Sequence, residues 1–217
     1  MIREKATSMR SDGRETRAHI IECAGKIYAQ NGYYKATSKE ICKTAGVNQA
    51  AVNYHFGSRD GLYEAVLADA HRHIIDIESL RDLSEKPWSP REKILAVLDH
   101  LLENIGNSEE WYIHVWVREM LTPSPSIDRI IEGTALPKFK LIRDFWRAYL
   151  ETDDPTRVYA AMAAFFSPFL FCIVGEGKPA CRHIPDAPSK QAFLTALRAQ
   201  AEQILDVLSP KREKEDL

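Results

Sequence analysis

Apolar side chains recur at every third or fourth position through most of this sequence, which is the spacing of amphipathic helices. Residues 14–30 place five such side chains on one face, namely Ile20, Ile21, Ala24, Ile27 and Tyr28. Asn31-Gly32 follows, and a glycine just after the last periodic residue predicts a left-handed helix end. The first predicted helix therefore ends near residue 31.

Two short helices follow, each opened by a capping residue. Thr37 is a good N-cap, and Glu40, three residues later, completes a capping box. Gly46 supplies the positive φ of a tight turn after the second helix. Asn48 then caps a third helix over residues 49–56. These signals predict two helices joined by a turn of three or four residues.

The remainder of the chain follows the same helical pattern. Ser58 caps a fourth helix, expected to run to about Leu80, and the polar stretch 81–90 contains two prolines and is interpreted as a connector. Further apolar-periodic segments occupy residues 91–106, 108–121, 127–150, 154–174 and 189–208. No strand pattern of useful length is present. The predicted fold class is all-α, with about nine helices.

Charge is distributed unevenly along the chain. Residues 1–60 carry ten lysines and arginines against six acids, whereas the remainder carries 19 against 25. A basic front on an acidic body indicates that only the front meets a polyanion such as nucleic acid, although an excess of this size also arises by chance. The predicted domains are a DNA-binding domain at 1–57 and a larger helical domain at 58–217.

Several classes of protein are not supported by the sequence. No apolar run approaches the roughly 20 residues that cross a membrane, and the N-terminus lacks the apolar stretch of a signal peptide, so we expect a cytoplasmic protein without a membrane partner. The four scattered cysteines are most simply free thiols. No glycine-rich phosphate loop, HExxH or GxSxG motif is present, so neither an enzyme nor a cofactor is predicted.

Residues 32–62 follow the helix-turn-helix plan, in which the second of two short helices reads DNA. Ala50 and Ala51 are short enough to allow close approach to a DNA surface. The predicted base-edge contacts are Asn48, Gln49 and Asn53, and the predicted phosphate contacts are Tyr54 and His55. Thr37, Ser38 and Lys39 begin a helix whose N-terminal amides favour a phosphate.

The same stretch resembles the TetR family of one-component transcriptional regulators. The matching residues are Gly32, Thr37, Ile41, Ala45-Gly46-Val47, Asn48, Val52, Tyr54-His55-Phe56 and Leu62. Asn48 and the paired alanines depart mildly from the family pattern of serine and glycine. The resemblance implies that Tyr54 and Arg59 contact the DNA backbone. Arg118-Glu119-Met120-Leu121 with Pro123 and Asp128 resembles the subgroup with a CecR-type C-terminal domain.

The family resemblance also implies a homodimer, a double-stranded palindromic operator and a small-molecule effector that releases the repressor. The last two helices would pair with their mates in a second subunit. The candidate pocket residues, which favour a largely apolar effector, are Trp111, His114, Trp116, Arg118, Trp146, Phe165, Phe166 and Phe169. Aromatic residues at helical spacing are equally typical of a plain helix-bundle core.

Other interpretations remain open at this point. Arg14 and Arg17 either add phosphate contacts or belong to a solvated tail. Tyr54-His55-Phe56 could simply close the core of the small domain. No metal is expected, since His71 and His73 point to different sides of a helix, and Cys181 with His183 lacks further ligands. A helical enzyme and a protein-binding adaptor are the rival functional classes.

Overall fold

The all-α fold predicted from the sequence is confirmed by a computed structural model. It describes the backbone of residues 2–106, 111–175 and 186–210, and the side chains of residues 12–104, 111–172 and 186–210. No strand occurs in these ranges. The helices are α1 Ile2–Lys35, α2 Ser38–Ala45, α3 Gln49–Phe56, α4 Arg59–Ile74, α5 Ile77–Glu85, α6 Pro90–Gly106, α7 Trp111–Leu121, α8 Ile127–Ile130, a π-helical turn Ile131–Ala135, α9 Leu136–Leu150, α10 Pro155–Gly175 and α11 Lys190–Leu208.

The helices form two compact units. The first unit contains Met1–His73 and Trp111–Thr134, and the second contains Ile74–Glu110 and Ala135–Leu217. In the first unit α7 therefore packs with the N-terminal helices although residues 75–110 separate it from α4 along the chain. This division describes packing; the functional domain boundary after residue 57 stays a prediction.

The core of the first unit forms because α1, α2, α3, α4 and α7 each bury their apolar side. Its fully buried side chains include Ile20, Tyr28, Ile41, Val52, Leu62, Tyr63 and Leu67. Three tyrosine rings meet edge to face or tilted, with centroid distances of 4.5 Å for Tyr28–Tyr63 and 4.9 Å for Tyr33–Tyr63. This core supports α2 and α3 from behind.

The second unit is a bundle in which α6 packs against α9 and α11, and α10 packs against α9 and α11. Trp146 and Phe165 are fully buried at its centre, with ring centroids 5.0 Å apart. Ion pairs on the surface join Arg198 to Asp99 and Arg91 to Asp206, both between α11 and α6. No described helix is long and apolar enough to cross a membrane.

One predicted helix end is confirmed and another is wrong. The first helix ends at Asn31-Gly32 as predicted, because Gly32 has non-helical backbone with φ 73° and ψ 170°, and a separate helical turn follows to Lys35. The fourth helix ends at Ile74 rather than near Leu80. Asp76 lies in extended backbone and its carboxylate accepts hydrogen bonds from the amides of Glu78 and Ser79, so a new helix begins there.

Candidate nucleic-acid interface

Helices α2 and α3 form a helix-turn-helix whose predicted caps are confirmed. The Thr37 hydroxyl accepts a hydrogen bond from the Glu40 amide at 3.2 Å, and the Asn48 side chain accepts one from the Ala51 amide at 2.9 Å. Gly46 adopts φ 65° and ψ 25°, a left-handed conformation that a β-carbon would strain. Three local devices therefore fix the angle between α2 and α3.

Helix α3 has one buried side and one side open to solvent. Val52 is 1% exposed and anchors the helix to the core, whereas Tyr54 is 84% exposed. Gln49, Ala50 and Asn53 are exposed as well. The polar residues predicted to meet DNA thus lie on the outer face of a rigidly held helix.

The side chains of α3 also contact one another. Gln49 donates a hydrogen bond from Nε2 to Oδ1 of Asn53 at 3.1 Å. The Cys42 thiol on α2 donates to Oε1 of Gln49 at 3.6 Å. The rings of Tyr54 and the half-buried His55 meet edge to face at 5.0 Å. These contacts hold polar groups in place on a surface that otherwise faces water.

The other predicted DNA contacts lie beside this helix within the first unit. Thr37 and Lys39 at the start of α2 are exposed and Ser38 is half-buried. Arg14 and Arg17 are exposed on α1, and the Arg17 guanidinium lies 5.1 Å from the centre of the Phe56 ring. A cation–π contact of this kind holds Arg17 close to the end of α3.

Arg59 is placed differently from the expectation for a phosphate contact. Its guanidinium donates to the backbone oxygens of Tyr33 and Ala36, and it stacks over the Tyr33 ring at 4.4 Å. Tyr33 lies near the end of α1 and Ala36 in the link to α2, so Arg59 ties this part of the chain to the start of α4. The structure therefore gives Arg59 a supporting contact, and its contact with DNA stays a prediction.

The predicted pocket residues divide between the two units. Trp111, His114, Trp116 and Arg118 lie on α7 in the first unit, whereas Trp146, Phe165, Phe166 and Phe169 lie on α9 and α10 in the second. Trp111 donates to Oε2 of Glu22 at 2.8 Å, and Arg118 donates to the Ala29 and Gln30 carbonyls at 3.1 Å each. These α7 residues fasten α7 to α1.

Glu119 is a buried polar residue that sequence reasoning did not assign. Its side chain is fully buried, accepts from the Tyr63 hydroxyl at 2.7 Å, and accepts from the amide and hydroxyl of Ser124 at 2.9 and 2.6 Å. It thereby joins α7 to α4 and to the loop before α8. The signal in the sequence is an acid at the helical spacing of buried Trp111 and Val115, three residues before the Thr-Pro-Ser-Pro-Ser break.

Two clefts open on the second unit, and neither is lined by the predicted pocket residues. One, of about 340 Å³, is lined by Asp144, Arg147, Ala148, Glu151, Thr152 and Asp153. The other, of about 670 Å³, is lined by Asp99, Leu102, Glu103, Gln191, Leu194, Thr195 and Arg198. The described side chains contain no group of three His, Cys, Asp or Glu residues placed to hold a metal. Cys181 and His183 lie outside the described residues.

A capped helix-turn-helix with an exposed second helix, followed by an all-helical remainder, defines the class of helical DNA-binding regulators. Comparison with protein families narrows this class. The family model "Bacterial regulatory proteins, tetR family" matches residues 20–66, and "HTH-type transcriptional dual regulator CecR, C-terminal domain" matches residues 90–208. The chain belongs to the TetR family of transcriptional regulators, which are not enzymes, and its C-terminal region is of the CecR type.

Individual relatives share low sequence identity with this chain. The regulator AcrR of Shigella flexneri is 28% identical over 48% of this chain and 48% of its own length, and UidR of Escherichia coli K12 is 25% identical over 45% and 57%. The chain thus spans about half the length of the curated relatives it matches. Among solved structures, Bacillus subtilis FadR in complex with stearoyl-CoA has a TM-score of 0.62 at 16% identity, covering 89% of this chain and 97% of that chain.

Proposed function

We propose that this protein is a homodimeric transcriptional repressor that binds a palindromic operator through α2 and α3 and is released by a small molecule. The observation that carries the proposal is the outer face of α3, where exposed polar side chains project from a helix-turn-helix in which each helix has an N-cap and a left-handed glycine ends the first one. Rigid placement matters because base-edge contacts need hydrogen-bond geometry within a fraction of an ångström. A DNA-binding role also implies a cytoplasmic location.

Exposed apolar side chains on the last two helices support the homodimer. Tyr159, Leu170 and Phe171 on α10 and Phe193 and Val207 on α11 are 41–68% exposed. Exposed apolar side chains on two helices that pack together are typical of an interaction surface, and an isologous interface between two copies would cover them. Two-fold symmetry would set two α3 helices about 34–36 Å apart, one turn of DNA.

The effector site is proposed to involve the aromatic cluster of the second unit. The Trp146 indole N–H is buried and has no hydrogen-bond acceptor among the described residues. A buried donor without an acceptor costs free energy, which a ligand oxygen placed there would recover. FadR, which shares the fold, was crystallised with stearoyl-CoA, and this supports an effector with a large apolar part. A hydrogen-bond acceptor on the effector would lie next to the Trp146 N–H.

Release requires that the effector favour one conformation of the dimer over another, because a ligand with equal affinity for both shifts nothing. Helix α7 is the proposed carrier of this coupling. It lies in the region that matches the CecR C-terminal domain, yet Arg118 and Glu119 bond it to α1 and α4 within the first unit. A displacement of α7 would therefore move the helices that support α3.

Selection of bound sequences from a random duplex pool tests this function against the enzyme and adaptor alternatives. We expect recovery of a palindrome, bound with an affinity that falls steeply as salt rises. Lys39→Ala should lower the slope of log affinity against log salt by about two, one for each subunit of the dimer, whereas Lys140→Ala, which removes an exposed lysine of α9, should leave it unchanged. Failure to recover any sequence, or recovery of single unpaired half-sites, would overturn the proposal.

A second experiment tests release. Fluorescence anisotropy of the labelled operator is followed while long-chain fatty acids and acyl-CoA esters are added. We expect a member of this panel to dissociate the wild-type complex, and Trp146→Phe to need at least several-fold more of it, because phenylalanine keeps an aromatic ring at this position but has no N–H donor. Leu150→Val, a packing change at a buried residue of α9 outside the aromatic cluster, serves as the control. If wild type and Trp146→Phe release the operator at equal concentrations of the added molecule, Trp146 is not part of the effector site.

A further inference from the structure

Three side chains on α2 and α3 form a continuous hydrogen-bonded row. The Cys42 thiol donates to Oε1 of Gln49, and Nε2 of Gln49 donates to Oδ1 of Asn53, at 3.6 and 3.1 Å. Gln49 and Asn53 are exposed on the outer face of α3, one helical turn apart, while Cys42 is half-buried behind them. Exposed amides are normally free to choose among several rotamers, so this row restricts two of them before DNA arrives.

The row also determines which groups remain for DNA. Gln49 uses its amide oxygen to accept from Cys42, and Asn53 uses its amide oxygen to accept from Gln49. One N–H of Gln49 and both N–H groups of Asn53 remain unused, and each amide oxygen keeps one of its two lone pairs. The pair therefore offers more donors than acceptors to the major groove, where guanine offers two acceptors, N7 and O6, and adenine offers one acceptor and one donor.

We propose that Gln49 and Asn53 read the operator as one hydrogen-bonded unit that prefers guanine, and that Cys42 is the positioning residue that sets this unit. The proposal rests on the proposed DNA-binding function. Cys42 itself lies on α2 and acts through Gln49. An independent Gln or Asn would instead favour adenine, because an amide whose oxygen and nitrogen are both unbonded matches the donor and the acceptor of adenine.

Replacing Cys42 tests the positioning role. Wild type, Cys42→Ser and Cys42→Ala are each used to select sequences, and their affinities are measured for operators that differ at one base pair per half-site. Wild type should prefer guanine at one position in each half-site. Cys42→Ala should reduce this preference several-fold, and Cys42→Ser, which keeps a donor, should restore at least part of it. The salt slope should not change, because no phosphate contact is lost.

A double-mutant cycle tests whether the two amides act together. Gln49→Ala and Asn53→Ala should each lower discrimination at the same base pair by roughly tenfold, and the double variant should lose little more than either single variant. Melting temperatures of all variants, followed by circular dichroism, separate a loss of reading from a loss of folding. Losses that multiply, or that fall on different base pairs, would overturn the coupled unit.

The outcomes separate this inference from the proposed function. If wild type selects no sequence, the DNA-binding function itself fails. If wild type selects a palindrome but prefers adenine at the position that Gln49 and Asn53 read, or if Cys42→Ala keeps the wild-type preference, the function stands and the inference is wrong. Equal losses in Cys42→Ser and Cys42→Ala would likewise overturn the role of the thiol as a donor.

Discussion

At the scale of single residues, Tyr28 and Tyr63 show how two similar side chains acquire different roles. Their rings are 0% and 1% exposed and pack edge to face. Tyr63 donates its hydroxyl to buried Glu119, whereas the Tyr28 hydroxyl lies near the Arg59 guanidinium without a hydrogen bond of good geometry among the described side chains. The two hydroxyls therefore contribute to stability with opposite signs, since an unpaired buried polar group is costly and a paired one is not.

Replacement of each tyrosine by phenylalanine tests this difference. Tyr63→Phe should lower the free energy of unfolding by about 1–3 kcal/mol, because it deprives the buried Glu119 carboxyl group of a donor. Tyr28→Phe should leave stability unchanged or raise it slightly. Urea denaturation followed by circular dichroism measures both. Equal destabilisation by the two changes would contradict the assignment of the hydroxyls.

The same tyrosines make the protein sensitive to alkali. Burial raises the pKa of Tyr28 from 10.0 to about 12, and burial with the hydrogen bond to Glu119 raises the pKa of Tyr63 as well. Above pH 10 the unfolded chain loses these protons while the folded chain keeps them, so their contribution to stability is lost as the pH rises from about 10 towards 12.

This pH dependence is measurable as the free energy of unfolding between pH 8 and pH 11. We expect a plateau to about pH 10 and then a fall of up to roughly 1.4 kcal/mol per pH unit for each tyrosine. Tyr28→Phe removes one of the two groups and should make the fall shallower. A slope that is the same in wild type and variant would show that Tyr28 titrates normally.

At the scale of elements, α7 is the helix whose partners could not be inferred from its own pattern. Trp111 opens α7 and lies so close to α1 that a β-carbon on Gly25 would come within 2.5 Å of its ring. This approach, together with the bond from Trp111 to Glu22, seats α7 on α1. The indole of Trp111 fills the space beside position 25 and leaves no room for a side chain there. This explains why a glycine occurs in the middle of the helix.

A pair of alanine substitutions in α1 tests the contact. Gly25→Ala should destabilise the protein by about 1–3 kcal/mol, because the overlap with Trp111 outweighs the better helix propensity of alanine. Gly13→Ala meets nothing within 4 Å and should stabilise α1 by up to about 1 kcal/mol. Thermal unfolding compares the two. Stabilisation by both would mean that α7 does not lie this close to α1.

At the scale of the whole molecule, the proposed function depends on a second copy of the chain. The exposed apolar side chains of α10 and α11 are the surface expected to meet it, and Phe171 is the most exposed of them at 68%. A charge introduced there would have to be buried unpaired in the dimer, which is strongly unfavourable. Such a charge should therefore reduce dimerisation and operator affinity together.

Phe171→Lys is the corresponding test. We expect light scattering coupled to size exclusion to show a monomer, and operator affinity to fall by at least tenfold, because each half-site is then bound independently. Met120→Lys places the same charge on an exposed apolar site of α7 in the first unit and should leave the dimer intact. If the Phe171→Lys variant remains a dimer, the dimer interface does not include this surface of α10 and α11.

The parts of the fold that were predicted correctly depend on short-range signals. Hydrogen bonds at the Thr37 and Asn48 caps and at the Gly46 turn join residues no more than five positions apart. These features can therefore be predicted from adjacent residues in the sequence. The end of α4 was misplaced because Leu80 continues the apolar spacing, while Asp76 forms a cap that interrupts the helix. A periodic pattern does not distinguish one long helix from two that share a buried side.

The sequence by itself determined the helical class, the helix-turn-helix and the polar residues on its outer face, because caps, glycines and helical spacing act locally. Only the tertiary structure decided that Trp111 and Trp146 lie in different units, that Arg59 holds the α1–α2 link, that Glu119 is buried among donors, and that Cys42, Gln49 and Asn53 form one row. These arrangements depend on contacts between different helices, and helical spacing does not specify which buried sides meet.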